Sequence, residues 1–190
     1  MIRVLPFTLA LLLLSISPIA ANDTVGPPGS ITFVAENKVA TANGVFREWK
    51  IVEAKIDEKN PTASRIELEI DLSSIDTGNT KRDDHLRNPD YFEVEKYPTA
   101  SVVIDNVRYE GGDTFDADVM LDLHGKQKTF TVPFRIEDRA ERRISAAFMI
   151  NRMDFEIGTP YSMINPLSID EEIPMKVTAT IPAAEAPRAP

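Results

Sequence analysis

The chain has 190 residues, 43% of them hydrophobic and 27% charged, which suits a single domain with a sizeable core. Thirty Asp and Glu against 21 Lys and Arg give a formal charge of −9, a balance that repels phosphate backbones and argues against a nucleic-acid partner. With no cysteine and only two histidines, His85 and His124, the chain has no means to build a disulfide framework, a thiolate or His-rich metal site, or a cysteine nucleophile.

In chain order, Met1 to Arg3 is a short positively charged start and Val4 to Ile19 an apolar run centred on Leu11 to Leu14. Small residues follow at Ala20 and Ala21, so the pattern predicts a secretory signal peptide over 1–21, cleaved after Ala21 or Ala20. An uncleaved anchor is the rival reading, but the run is short for a bilayer and contains Pro6 and Pro18. Export to the periplasm is the expectation. Residues 22–29 read as a Pro/Gly-rich linker, 30–181 as the folded domain, and 182–190 as a disordered tail.

The domain is dominated by period-two alternation. Ile66, Leu68, Ile70 and Leu72 alternate with Glu67, Glu69 and Asp71. The same rhythm runs through Phe115 to Leu123, Phe130 to Ile136, Ile144 to Ile150 and Ile173 to Ile181. Weaker strands are predicted near Ile31–Glu36, Trp49–Ile56 and Ser101–Tyr109. About eight antiparallel strands with one apolar face each predict an all-β sandwich or barrel. Gly111-Gly112, Leu123-His124-Gly125-Lys126 and Glu137 to Glu141 read as the hairpin turns.

Thr80 to Arg87 interrupts the β rhythm as a short helix, with Thr80 and Asp83 placed like a capping box. Asn88-Pro89 stops it, and Tyr91 and Phe92 are its aromatic anchors. The helix is expected to lie at the barrel mouth, with Leu86 and Phe92 turned inward and Asp83 and Asp84 exposed. Trp49, the only tryptophan, is expected to cap one barrel end.

Catalytic signatures are missing: there is no G-x-S-x-G, H-E-x-x-H or Gly-rich phosphate loop. Asp83-Asp84-His85 points in several directions on a helix, and Asp122 and His124 share a polar strand face, so both read as surface. Arg152-Met153-Asp154-Phe155 reads as a structural ion pair or turn contact. The inward-facing positions carry no charge; small barrels commonly fill themselves with such side chains, and any space left inside would suit an apolar guest. The candidate ligand contacts are Phe33, Leu68, Ile70, Leu86, Phe92, Phe115, Ala117, Val119, Leu121, Phe134 and Phe148, with Arg82, His85 and Arg87 as candidates for a polar headgroup.

Four motifs in order resemble the YceI-like lipid/polyisoprenoid-binding family. They are Gly44-Val45-Phe46; Ser74 to Gly78 followed by Arg82-Asp83-x-His85-Leu86, Asp90-Tyr91-Phe92 and Tyr97-Pro98; Leu121-x-Leu123-His124-Gly125-Lys126-Gln127-Lys128; and Arg152-x-Asp154-Phe155. The resemblance spans about Ser30 to Ile181. It implies an eight-stranded, lipocalin-like antiparallel barrel with a short helix at the mouth, binding an isoprenoid lipid or quinone-like ligand inside. It also implies a periplasmic or secreted location, no catalysis, no cofactor and a homodimer. The chain departs from the family in having Asn37 where members often carry His, and in the delayed Gly158. A lengthened loop over 159–170 is expected to cover the mouth. A solidly packed barrel acting as an interaction or stress-related protein is the alternative function, and a lipid-modifying enzyme a further rival.

Overall fold

The computed structural model describes residues 27–182. The expected signal peptide and all but Pro182 of the expected tail lie outside these residues, as does the linker up to 26. Ten strands and one helix form: β1 (Gly29–Glu36), β2 (Thr41–Phe46), β3 (Trp49–Lys55), β4 (Arg65–Asp71), β5 (Ile75–Asp76), α1 (Thr80–Arg87), β6 (Thr99–Gly111), β7 (Thr114–Leu123), β8 (Lys126–Asp138), β9 (Arg143–Asn151) and β10 (Glu172–Thr180).

All ten strands belong to one antiparallel sheet in the order β3-β4-β6-β7-β8-β9-β10-β1-β2-β5. β3, at one end of that order, and β2, next to the short β5 at the other, are continuous in sequence, because only Arg47 and Glu48 separate them. β2 pairs with β1 and β3 with β4, so one bent strand passes from the first partner to the second. At the bend, Arg47 N–H donates to Ser74 O at 3.2 Å and Asp71 N–H donates to Glu48 O at 2.9 Å. The sheet thereby curls into a barrel of eight strands, with β2 and β5 as the additions to the predicted count.

β2 escapes the alternation rule for a packing reason. Its centre is Asn43-Gly44, a pair that reads as a turn, yet an added Cβ at Gly44 would lie 2.1 Å from Phe33 Cζ. The glycine is there so that the Phe33 ring can lie on the neighbouring strand. The β7–β8 hairpin follows its sequence signal: His124 (φ 53°) and Gly125 (φ 72°) form the two-residue turn, the left-handed pair that type I′ geometry requires.

Strand directions sort the loops onto two ends. Residues 56–64, 112–113 and 139–142 lie at one end, together with the chain before β1 and after β10. Residues 37–40, 72–98, 124–125 and 152–171 lie at the other. The second end is a packed plug. Leu72, Ile75 and Phe155 are buried there almost completely, and Ile157 joins the same cluster.

α1 belongs to this plug, which corrects the expectation that it sits at the mouth. Its N-cap is Asn79, whose side chain accepts from Arg82 N–H at 3.2 Å. Asp83 is not exposed as expected. It is buried and accepts from Thr77 N–H at 2.9 Å and Thr77 Oγ1–H at 2.5 Å, closing the preceding turn. Asp84 is exposed and pairs with Arg87 at 3.0 Å. The 159–170 loop also packs at this plugged end rather than over the mouth. Asp170 N–H donates to Glu36 O at 2.9 Å, and Lys38 donates to Met163 O.

Candidate functional site

The barrel encloses a cavity of about 580 Å3, inside the range of about 300–1,000 Å3 usual for ligand pockets. Its wall is the inward face of the alternating strands. Leu68 and Ile70 come from β4, Phe115, Ala117, Val119 and Leu121 from β7, Phe134 from β8 and Phe148 from β9. Eight of the sequence-predicted contacts are thus brought together on one apolar wall. Rings concentrate on one side: Phe115 stacks on Phe134 at 5.4 Å between centroids, and Phe130 meets Phe148 at 6.0 Å.

The other three predicted contacts are not on the wall. Phe33 packs on Phe46 at 5.7 Å, and Phe92 meets Phe46 edge-on at 5.9 Å, so both support the floor from behind. Leu86 packs against the same buried cluster. Sequence alternation located inward faces but not which inward residues the plug covers.

The headgroup candidates are likewise engaged within the plug. Arg82 Nε donates to Thr77 Oγ1 at 2.7 Å and its NH2 to Thr77 O at 2.9 Å. Arg87 donates to Ser73 O and Ile75 O at 2.8 and 2.9 Å. His85 sits edge-on to Tyr91 at 5.0 Å. None of the three lines the cavity.

The polar groups on the cavity lie at the opposite end. Among the described residues, Asp57, Glu58, Arg139 and Arg142 are its charged lining residues, and all sit in the loops of the first end. Arg142 bridges to Glu58 at 3.0 Å and donates to Pro182 O at 3.3 Å, and Arg139 pairs with Asp113 at 2.7 Å. The mouth is therefore here. These residues stand in polar turns without periodicity, so only the position of the plug reveals them.

The Arg152 motif holds the plug in place. Arg152 is buried, and its guanidinium donates to the backbone oxygens of Ile157, Thr159, Ile169 and Asp170 at 2.6 to 3.0 Å. Burial pushes its pKa below the ordinary arginine value, opposed by the nearby Tyr91, Glu171 and Asp170. It is a turn contact, and its partners are carbonyls rather than a carboxylate.

A curled antiparallel barrel with an apolar interior, one plugged end and a polar rim is a lipocalin-like architecture. Comparison with known proteins gives the family. The YceI-like domain matches residues 27–181, and the chain belongs to this family. Protein YceI of Salmonella newport is 29% identical over 187 residues, covering 92% of this chain and 95% of that protein. UPF0312 protein plu2095 of Photorhabdus laumondii is 35% identical over 106 residues, 54% of this chain and 55% of that protein. Among solved structures, Burkholderia cenocepacia BcnA superposes with a TM-score of 0.71 at 22% identity, over 79% of this chain and 94% of that one. A polyisoprenoid binding domain from Saccharophagus degradans gives 0.61 at 22% identity, over 79% and 91%.

Proposed function

We propose that this protein is an exported carrier or reservoir that holds a long-chain isoprenoid lipid, such as a polyprenol or the tail of a quinone, inside its barrel. The observation that carries the reading is the 580 Å3 cavity, apolar along its length with charge only at the rim. A chain lying in it gains about 25 cal/mol for each Å2 of apolar surface taken from water. The relative solved as a polyisoprenoid binding domain supports this ligand class. An open interior of this size weighs against the solidly packed alternative. The cavity wall away from the rim carries no titratable side chain, which favours binding over catalysis.

Mass spectrometry of lipid extracted from natively purified protein is the test. An isoprenoid series at a substantial fraction of one per chain is expected, and empty protein from the exporting host would sink the reading. Export itself is checked by intact mass, which should show a mature start at Asn22 or Ala21. Full-length protein held in the membrane would refute it. The homodimer implied by the family resemblance is read from sedimentation of the same sample; a monomer throughout would remove it.

A further inference from the structure

The barrel wall has one incomplete seam. β7 and β8 are paired along the whole hairpin, from Thr114↔Arg135 to Leu123↔Lys126, and β9 and β10 pair from end to end. β8 and β9 pair only near the mouth, where Phe134 to Asp138 oppose Arg143 to Ala146. Below that point 126–133 of β8 and 147–151 of β9 run without a shared ladder.

The ladder stops where the sequence makes it stop. Ile136 N–H donates to Asp113 O, on the β7 side, so by alternation the nitrogen of Pro133 faces β9. Proline has no N–H to give, and its place in a sheet is at an edge. Where the ladder ends, a cleft of about 380 Å3 lies on the wall, reaching from the paired residues Arg135 and Ser145 to Pro133 and Ala147. Phe134, Ala146 and Val177 line both this cleft and the central cavity. Further down, side chains alone span the gap. Phe130 meets Phe148 across it, and at the plugged end Lys126 pairs with Glu156 at 2.8 Å and Lys128 with Asp154 at 3.3 Å. Those ion pairs are largely exposed, and such pairs hold little against opening.

Resting on the carrier reading above, we propose that the isoprenoid chain passes in and out sideways, through the β8–β9 seam. Passage through the mouth would draw the whole chain lengthwise past Asp57, Glu58, Arg139 and the Arg142–Glu58 bridge. The unpaired stretch of the seam, 126–133 against 147–151, runs along the wall with Phe130 and Phe148 meeting across it, and its opening breaks no ladder hydrogen bond between these strands. Segments with few such bonds are the ones that open locally.

The test locks the seam reversibly, which is straightforward in a chain without cysteine. Continuing the β8–β9 register places Thr131 opposite Met149, both exposed on the outer face. The double variant Thr131→Cys/Met149→Cys is bridged with a short reducible bis-methanethiosulfonate. The control, Met120→Cys/Thr129→Cys, bridges the fully paired β7–β8 ladder. Release of pyrene-labelled geranylgeraniol to neutral phosphatidylcholine vesicles is timed, and each locked protein is compared with its own reduced form. Locking the seam should slow release at least ten-fold and reduction should restore it, while the control bridge leaves the rate within two-fold. Equal release from the locked and reduced seam variant would overturn the proposal and leave the mouth as the route. Failure of the unlocked protein to take up the probe would instead overturn the carrier reading itself.

Discussion

At the scale of single residues, most of the family-motif side chains resolve into contacts that hold the barrel together, while Phe46, Leu121 and Leu123 also line the cavity. Gly44 exists for Phe33: three ring atoms of Phe33 would stand 2.1 to 2.7 Å from an added Cβ. Gly44→Ala should therefore cost about 1–3 kcal/mol of overpacking. The cost should shrink in a Phe33→Ala background, because the clashing ring is gone, and urea unfolding of the four proteins of that cycle measures it. Additive losses would place the strain elsewhere. Asp118 makes a different point. Arg108 and Asn106, from the bulged part of β6, and Thr131 from β8 all donate to its carboxylate and hold its pKa below the usual carboxylate range. A carboxylate with a lowered folded pKa stabilises above its unfolded value, about 3.9, and that stability is lost as pH falls through the lowered folded value. Melting temperature should fall as the pH drops below about 4, with a smaller slope in Asp118→Asn than in the parent. Identical slopes would show that the carboxylate does not contribute to acid sensitivity.

At the scale of elements, α1 changes role between sequence and structure. Eight residues with Leu86 facing inward look the same whether the helix is a movable cover or part of a plug. The fixed hydrogen bonds from Arg82 and Arg87 to the turn before it, and the burial of Asp83, decide for the plug. Leu86→Asp should then destabilise the whole fold by at least about 2–5 kcal/mol, the range for losing a core leucine. A normal melting temperature with faster ligand loss would restore the covering role. The strands were legible for a reason that does not apply to α1. Period-two alternation reports one buried face directly, so all eight expected strands and most of the cavity wall follow from it. Alternation is silent on which barrel end closes, because both ends are polar loops in sequence. It also fails at Thr41 to Gly44, where a neighbour's ring takes the space of a side chain. The mouth residues Glu58 and Arg142 are 84 positions apart and meet only through the closed topology.

At the scale of the whole molecule, the question is whether the interior is a vessel or a core that is merely loosely filled. Ala117 separates the two. It is 1% exposed to solvent, lies mid-strand on β7 opposite Val132, and lines the cavity between Phe115 and Val119. In a filled core, Ala117→Trp would force neighbours off their rotamers and cost about 1–3 kcal/mol or more. Facing open space, the indole has somewhere to go, and it removes the same volume from any guest. The expected result is a delipidated variant melting close to the delipidated parent, while carrying far less lipid per mole when purified natively. Delipidation is part of the design because a ligand bound only to the folded state raises apparent stability by RT ln(1 + [L]/Kd) and would mask the comparison. Unchanged lipid content would place the guest away from Ala117, toward the seam or the mouth. Severe destabilisation together with a lipid-free parent would show that the cavity closes up in solution, and the barrel would then be a scaffold without cargo.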